Sequence, residues 1–307
     1  MTDSSAALDE AFERMAASDF ELPNGFVNHG PMACESLDAL GLVEQIDGWS
    51  RRFVEMVGTG PRPESPRSFS GRGWLDALGD YRRLPEWIGH FDRSIAGQGW
   101  RSVVGEWVPR LVPGLHAALF HGVIRTGQAV RAIDAADTPA RRAELARALA
   151  YWAARCTPGH LPPIDGGPGS IDAAVVAAAA HGARHFVDQP SIVYLHGVTG
   201  AMAVGLLVPH LDPGAAQAAL AQVRAEHTAM YPAVVPGARP DEGEGWNPEL
   251  AVVAAESRDA HQVKLVEACR RGIALGGDQQ AFVSAARRVT GGSRSPARHD
   301  TAGMRSR

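Results

Sequence analysis

The chain has 307 residues, 45% hydrophobic and 21% charged, with a formal charge of −4 and a pI near 6.3. A chain of this size buries a substantial core, its composition is globular, and its mild acidity gives no electrostatic case for nucleic acid. Cys34, Cys156 and Cys269 are odd in number and far apart, which argues against a disulfide framework or a zinc finger.

The opening MTDSSAALDEAFERM has acidic residues and no apolar centre, so it does not read as a signal peptide. Apolar residues recurring at three and four predict helices near 6–17, 31–57, 84–96, 100–133, 138–156, 171–186, 190–211, 213–230, 248–274 and 278–289. Start signals agree, with Thr138–Pro139, Asp212–Pro213 and Asn247–Pro248 each preceding a periodic run. Three segments rich in proline and glycine, 58–73, 157–170 and 232–246, read as long loops of the kind that often carry function. Residues 291–307 read as a polar, disordered tail. The apolar runs at 173–180 and 201–209 are too short to span a bilayer, so a cytoplasmic protein without a membrane span is expected. No strand alternation is visible, and the expected fold class is an all-α, multi-helix bundle with long loops. Its expected organisation is an N-terminal helical extension (1–25), a single domain (26–290) and the tail.

Several chemistries are absent. No G-x-G-x-x-G follows a strand, and neither G-x-x-x-x-G-K-[ST], G-x-S-x-G nor H-E-x-x-H occurs. What remains is histidine and one lysine. Lys264 is the only lysine among 30 basic residues, in a chain whose composition otherwise favours arginine. An amine can lose its proton when desolvated and a guanidinium cannot, so a position that needs a neutral nitrogen resists replacement by arginine. Lys264 follows His261 by three residues, on one helical face. Survival by chance on a solvated face is the competing explanation.

Twelve histidines are many for this length, and His29, His121, His196 and His261 stand in apolar helical contexts. The first three are each followed by glycine, which lets a backbone or ligand approach closely. Neutral imidazoles on different helices can converge on iron, zinc or copper. A core histidine bonded to a carbonyl is the ordinary alternative, and spacings of about 65 to 95 residues do not decide.

The segments NHGPMA, FHGVIRTGQAV, YWAAR, LHGVTGAMAVGLLVPHL and H-x-x-K-L-x-E-A-C together resemble the questin oxidase-like family, over about 26–288. That resemblance implies an oxygenase that opens a ring of an anthraquinone by Baeyer–Villiger-type oxygen insertion, using dioxygen. It also implies a mononuclear non-haem iron(II) centre with four histidines and a lysine carboxylated by carbon dioxide as ligands. Carried onto this sequence, the ligands are His29, His121, His196, His261 and Lys264. Gln128 stands where relatives often carry histidine. A monooxygenase using NADPH or flavin without protein-bound metal, and a non-catalytic helical binding protein, remain the alternatives.

Helical spacing adds candidates around the ligands. Arg125 and Gln128 follow His121 by four and seven residues, so both are expected at the catalytic site. Arg125 could orient a phenolate or carboxylate, or instead make a structural ion pair. Asn28 and Thr199 could support a ligand or cap a helix, and His116 should point elsewhere. Phe26, Trp107, Phe120, Tyr194 and Trp246 are candidates to line a pocket for a small, flat aromatic substrate, or else simply to form core.

Overall fold

In the computed structural model, the described residues are 4–22, 25–58, 69, 73–159, 161–163, 170–232 and 245–291. Most of the three Pro/Gly-rich segments and the tail beyond Gly291 lie outside them. The fold is all-α. The elements are α1 (Ser4–Met15), α2 (Gly30–Leu40), α3 (Ile46–Val57), α4 (Leu84–Gln98), α5 (Trp100–Leu111), α6 (His121–Ala135) and α7 (Pro139–Arg155). They continue with α8 (Ile171–Asp188), α9 (Ile192–Leu207), α10 (Pro213–Met230), α11 (Glu249–Glu256), α12 (Ala260–Ala274) and α13 (Gln279–Gly291). The single extended pairing among the described residues is an isolated antiparallel bridge between Glu21 and Val27.

The caps explain the boundaries. Thr138 and Asp212 accept from the backbone N–H of Arg141 and Ala215, each followed by a proline that needs no donor partner. Ser170 and Ser191 cap α8 and α9 in the same way. Three expected long helices are each broken. The run 31–57 stops at Gly41, whose φ of 80° closes α2 with its N–H on the Asp38 and Leu37 carbonyls. The runs 100–133 and 248–274 break at 112–120 and 257–259 through left-handed residues that are not glycine.

α2, α6, α9 and α12 form a closed ring, in which α2 touches α6 and α12, and α9 touches the same two. α7 and α8 pack outside this ring, and α1 packs on α2, α3 and α7. Leu8, Phe12 and Met15 of α1 are buried in the same continuous core as the ring, so the segment set apart as an extension contributes to that core. Burying each such side chain stabilises by about 1.5–3 kcal/mol. Ile192–His210 is, by composition alone, long and apolar enough to cross a membrane, which the shorter run 201–209 did not suggest. Yet α9 is apolar all round because other helices surround it, and 61% of that span is buried inside the protein.

Candidate metal centre

Each helix of the ring carries one histidine within it or at its N-cap, and the four ligand-capable nitrogens lie within 4.8 Å of one another. His29 is the residue before α2, where Asn28 Oδ1 accepts from the Gly30 N–H at 2.9 Å and holds the turn. His121 opens α6, and Ala118, Leu119 and Phe120 lead into it with φ of 49°, 54° and 64°. His261 is the second residue of α12, after Arg258 at φ 60° and the cap Asp259. His196 lies in the second turn of α9. The only non-glycine residues with positive φ, among those described, therefore lie within three residues before two of the four histidines. Each left-handed residue costs roughly 1–2 kcal/mol, and such strain clusters where function requires it.

Nε2 of His121 is 2.6 Å from Nε2 of His29 and 3.0 Å from Nε2 of His196. The other nitrogens of His121 and His196 are engaged. His121 Nδ1 donates to the Ala118 carbonyl at 2.5 Å, and His196 Nδ1 donates to the Ile192 carbonyl at 2.7 Å. A carbonyl only accepts, so both rings carry their proton on Nδ1, and in the neutral state both Nε2 atoms are bare lone pairs. Burial, reinforced by the nearby Lys264 ammonium, holds His29, His121 and His196 well below the usual imidazole range, which keeps them neutral. Two lone pairs 3.0 Å apart repel unless a cation lies between them. About 3.0 Å is also the separation of two nitrogens bound at right angles, each at about 2.1 Å, to one ion. His261 is likewise lowered by burial, partly offset by Asp259, whose carboxylate lies 3.3 Å from Nδ1. That leaves Nε2 of His261 free as well, in the carboxylate–histidine arrangement that supports metal ligands. Four nitrogen donors supported in this way suit a borderline transition ion.

Lys264 lies on α12, only 1% exposed, and its Nζ has no hydrogen-bond partner. Burial pushes its ammonium down to about 7. With Gln128, Thr199 and Arg271 it borders a void of about 10 Å³, close to the space of one water. Solvation by chance on an exposed face is thereby excluded for this lysine.

The histidines form part of the wall of a cleft of about 1250 Å³. Leu22, Phe26, Val27, Phe53, Met56, Leu119 and Ile192 give it an apolar lining, while Glu21, Tyr151, Arg155 and Thr157 supply polar groups. Phe26, 61% exposed, sits on the loop pinned by the Glu21–Val27 bridge. Arg155 Nε and Tyr151 OH both donate to Glu21 Oε1, at 2.8 and 3.0 Å. Sequence reasoning missed this polar group and Asp259, since segments 21–27 and 151–157 carry no local sign of proximity. The D-x-H spacing around Asp259 was visible but also fits a plain helix cap, and Asp259 serves as both.

Other expected positions fall elsewhere. Arg125 does not line the cleft. Its Nε and Nη2 are taken up by Glu144 at 2.6 and 2.9 Å in a buried ion pair, the structural alternative to a substrate-orienting role. Gln128 lies in the core beside the Lys264 void, donating to Ser36 Oγ at 2.7 Å, and it does not line the cleft either. Asn28 caps a turn, Thr199 Oγ1 donates back to the Leu195 carbonyl, and His116 pairs with Glu226. Of the expected aromatics only Phe26 lines the cleft. Trp107 packs edge-to-face within the α4–α5 core, Phe120 packs on Gly200, Tyr194 meets Tyr231 edge-on, and Trp246 packs on the core. The glycines after three histidines admit neighbouring side chains rather than a ligand. A Cβ on Gly122 would lie 2.7 Å from Trp152, and one on Gly197 would overlap the Tyr231 hydroxyl. They let α1, α3, α7 and the end of α10 pack closely behind the histidine-bearing helices. A comparison of the sequence with protein-family models and with curated proteins finds no match.

Proposed function

We propose that His29, His121, His196 and His261, with Lys264, hold one iron(II) ion, and that the protein is an oxygenase acting on a flat polycyclic aromatic related to the anthraquinones. The reading takes its chemistry from the resemblance to the questin oxidase-like family. The observation that carries it is the pair of unprotonated Nε2 atoms of His121 and His196, 3.0 Å apart and fixed by carbonyls on their far sides. Bound iron(II) supplies the single-electron chemistry that dioxygen needs in order to react with a closed-shell organic molecule. The protein supplies the rest. The imidazoles stay neutral through burial, and Asp259 holds the proton of His261 on Nδ1. The unpartnered Lys264 amine is suited to adding carbon dioxide, releasing a proton and becoming an anionic oxygen ligand. Phe26, Phe53 and Leu119 offer apolar surface on which a planar ring system packs, while Arg155 and Thr157 face its polar substituents.

The purified protein, reconstituted anaerobically, is expected to bind about one iron per chain and to consume dioxygen when given a hydroxylated anthraquinone. His196→Ala should lose the iron. Lys264→Arg should lose activity, because guanidinium neither forms a carbamate nor binds a cation. Full iron occupancy without oxygen uptake across a panel of polycyclic phenols would refute the substrate class. Bound flavin in place of metal would point to the flavin-dependent alternative.

A further inference from the structure

α8 and α10 carry a second group of histidines, apart from the cleft. His181 and His185 are one turn apart on α8, and their Nε2 atoms are 3.2 Å apart. His185 is buried, with its ring stacked on Tyr231 at a centroid distance of 4.6 Å, so its orientation is fixed. His227 on α10 donates Nε2–H to the Gly197 carbonyl at 3.1 Å, which leaves Nδ1 as a bare acceptor. That Nδ1 is buried without a partner. His181 and His227 border one cavity of about 500 Å³, together with Tyr231, Thr228 and Arg224.

Two imidazole nitrogens 3.2 Å apart are close to the roughly 3.3 Å expected for neighbouring ligands of one tetrahedral ion. Because the helix already holds both side chains on one face, little ordering is needed to chelate. His181 borders the cavity and the buried His185 does not, so an ion held by the pair would take its waters from the His181 side. An ion-bound water is a strong donor, the kind of partner that the bare Nδ1 of His227 lacks.

We propose that His181 and His185 form a second divalent transition-ion site of the zinc class, completed by water, with His227 accepting a hydrogen bond from one such water. Arg184 is neutralised by Asp278, but Arg224 borders the cavity and opposes a cation. Binding is therefore weaker here than at the four-histidine cluster. This site rests on no part of the oxygenase reading.

The test is a zinc(II) titration of the metal-free full-length protein against a chromophoric chelator. Two classes of site are expected, the weaker by at least tenfold. His181→Gln should remove the weaker class alone, and His196→Ala the tighter class alone, so failure at one site is seen separately from failure at the other. His185→Gln removes a ring stacked on Tyr231, so His181→Gln, at a partly exposed position, decides the matter if the former does not fold. Zinc beyond the first equivalent should also slow amide exchange over 181–188. Survival of the weaker class in His181→Gln, or no zinc uptake beyond the tighter class, overturns the proposal.

Discussion

Lys264→Met should make the metal-free protein more stable and flatten its response to pH. The ordinary lysine value is 10.5, and burial brings Lys264 to about 7. The unfolded chain therefore holds a proton between those values that the folded chain has released. Stability contributed by this group rises with pH through that window and is lowest below about 7. At about 1.4 kcal/mol per pH unit, the full gap corresponds to about 5 kcal/mol. Only part of the window is clean. Cys34, Cys156 and Cys269 are raised by burial, so unfolded thiolates begin to oppose the trend near pH 9. The histidines are lowered and act below about 6.5, in the same direction as the lysine. Between pH 7 and 8.5 the lysine alone should add about 1.5 kcal/mol, or roughly 3 °C in Tm for a chain of this length. Urea and thermal unfolding in chelator-treated, bicarbonate-free buffer measure it. Methionine fills a similar volume without a charge, so the variant should lack this slope and exceed the wild type at pH 7. A variant with the wild-type slope, or less stable than wild type at pH 7, would refute the picture of an uncompensated buried amine.

The carboxylate of Asp259 lies 3.3 Å from His261 Nδ1 and is half-exposed, so Asp259→Asn should weaken metal binding by about tenfold, the low end for such partners. Unchanged affinity in a chelator competition would remove Asp259 from the support of the site. Arg125→Met should cost about 3–5 kcal/mol by leaving Glu144 charged and unpaired, while metal content stays unchanged. Adding Glu144→Met should recover most of that loss, and metal loss in a still-stable Arg125→Met protein would restore Arg125 to the site.

The helices were legible because their signals are local. Thr138–Pro139 and Asp212–Pro213 stop and start the chain by hydrogen bonds within four residues. The breaks at 112–120 and 257–259 were not legible, because Ala118, Leu119, Phe120 and Arg258 are ordinary helix residues with no preference for positive φ. Tertiary packing imposes those conformations, as where Phe120 lies against Gly200. His29, His121, His196 and His261 were picked out by apolar context and family resemblance, whereas their convergence follows from a ring of helices that no spacing encodes. Arg125 shows the limit of helical-face reasoning. Four residues after His121 it shares a face with the ligand, but the helix meets α7 there, and Glu144 claims the guanidinium.

The same breaks set the electrostatics of the site. α2, α6 and α12 begin within two residues of their histidines, and Ile192, the first residue of α9, borders the cleft. Four helix N-termini thus face one region, each bringing a partial positive charge of about half a unit. Such a field lowers the proton affinity of the imidazoles, in the same direction as their burial. It also opposes a bare cation, so four neutral nitrogens compensate poorly on their own. An anionic oxygen ligand in the same region would be stabilised by the helix ends and would in turn offset the charge of the ion. Glu21 cannot fill that role while it holds Arg155, and Asp259 is directed at the far nitrogen of His261. In the function proposed above, Lys264, buried and without a hydrogen-bond partner, would supply that anion as its carbamate. On that proposal, the field that helps keep the histidines unprotonated would also favour converting the one lysine from a like charge into an opposite one.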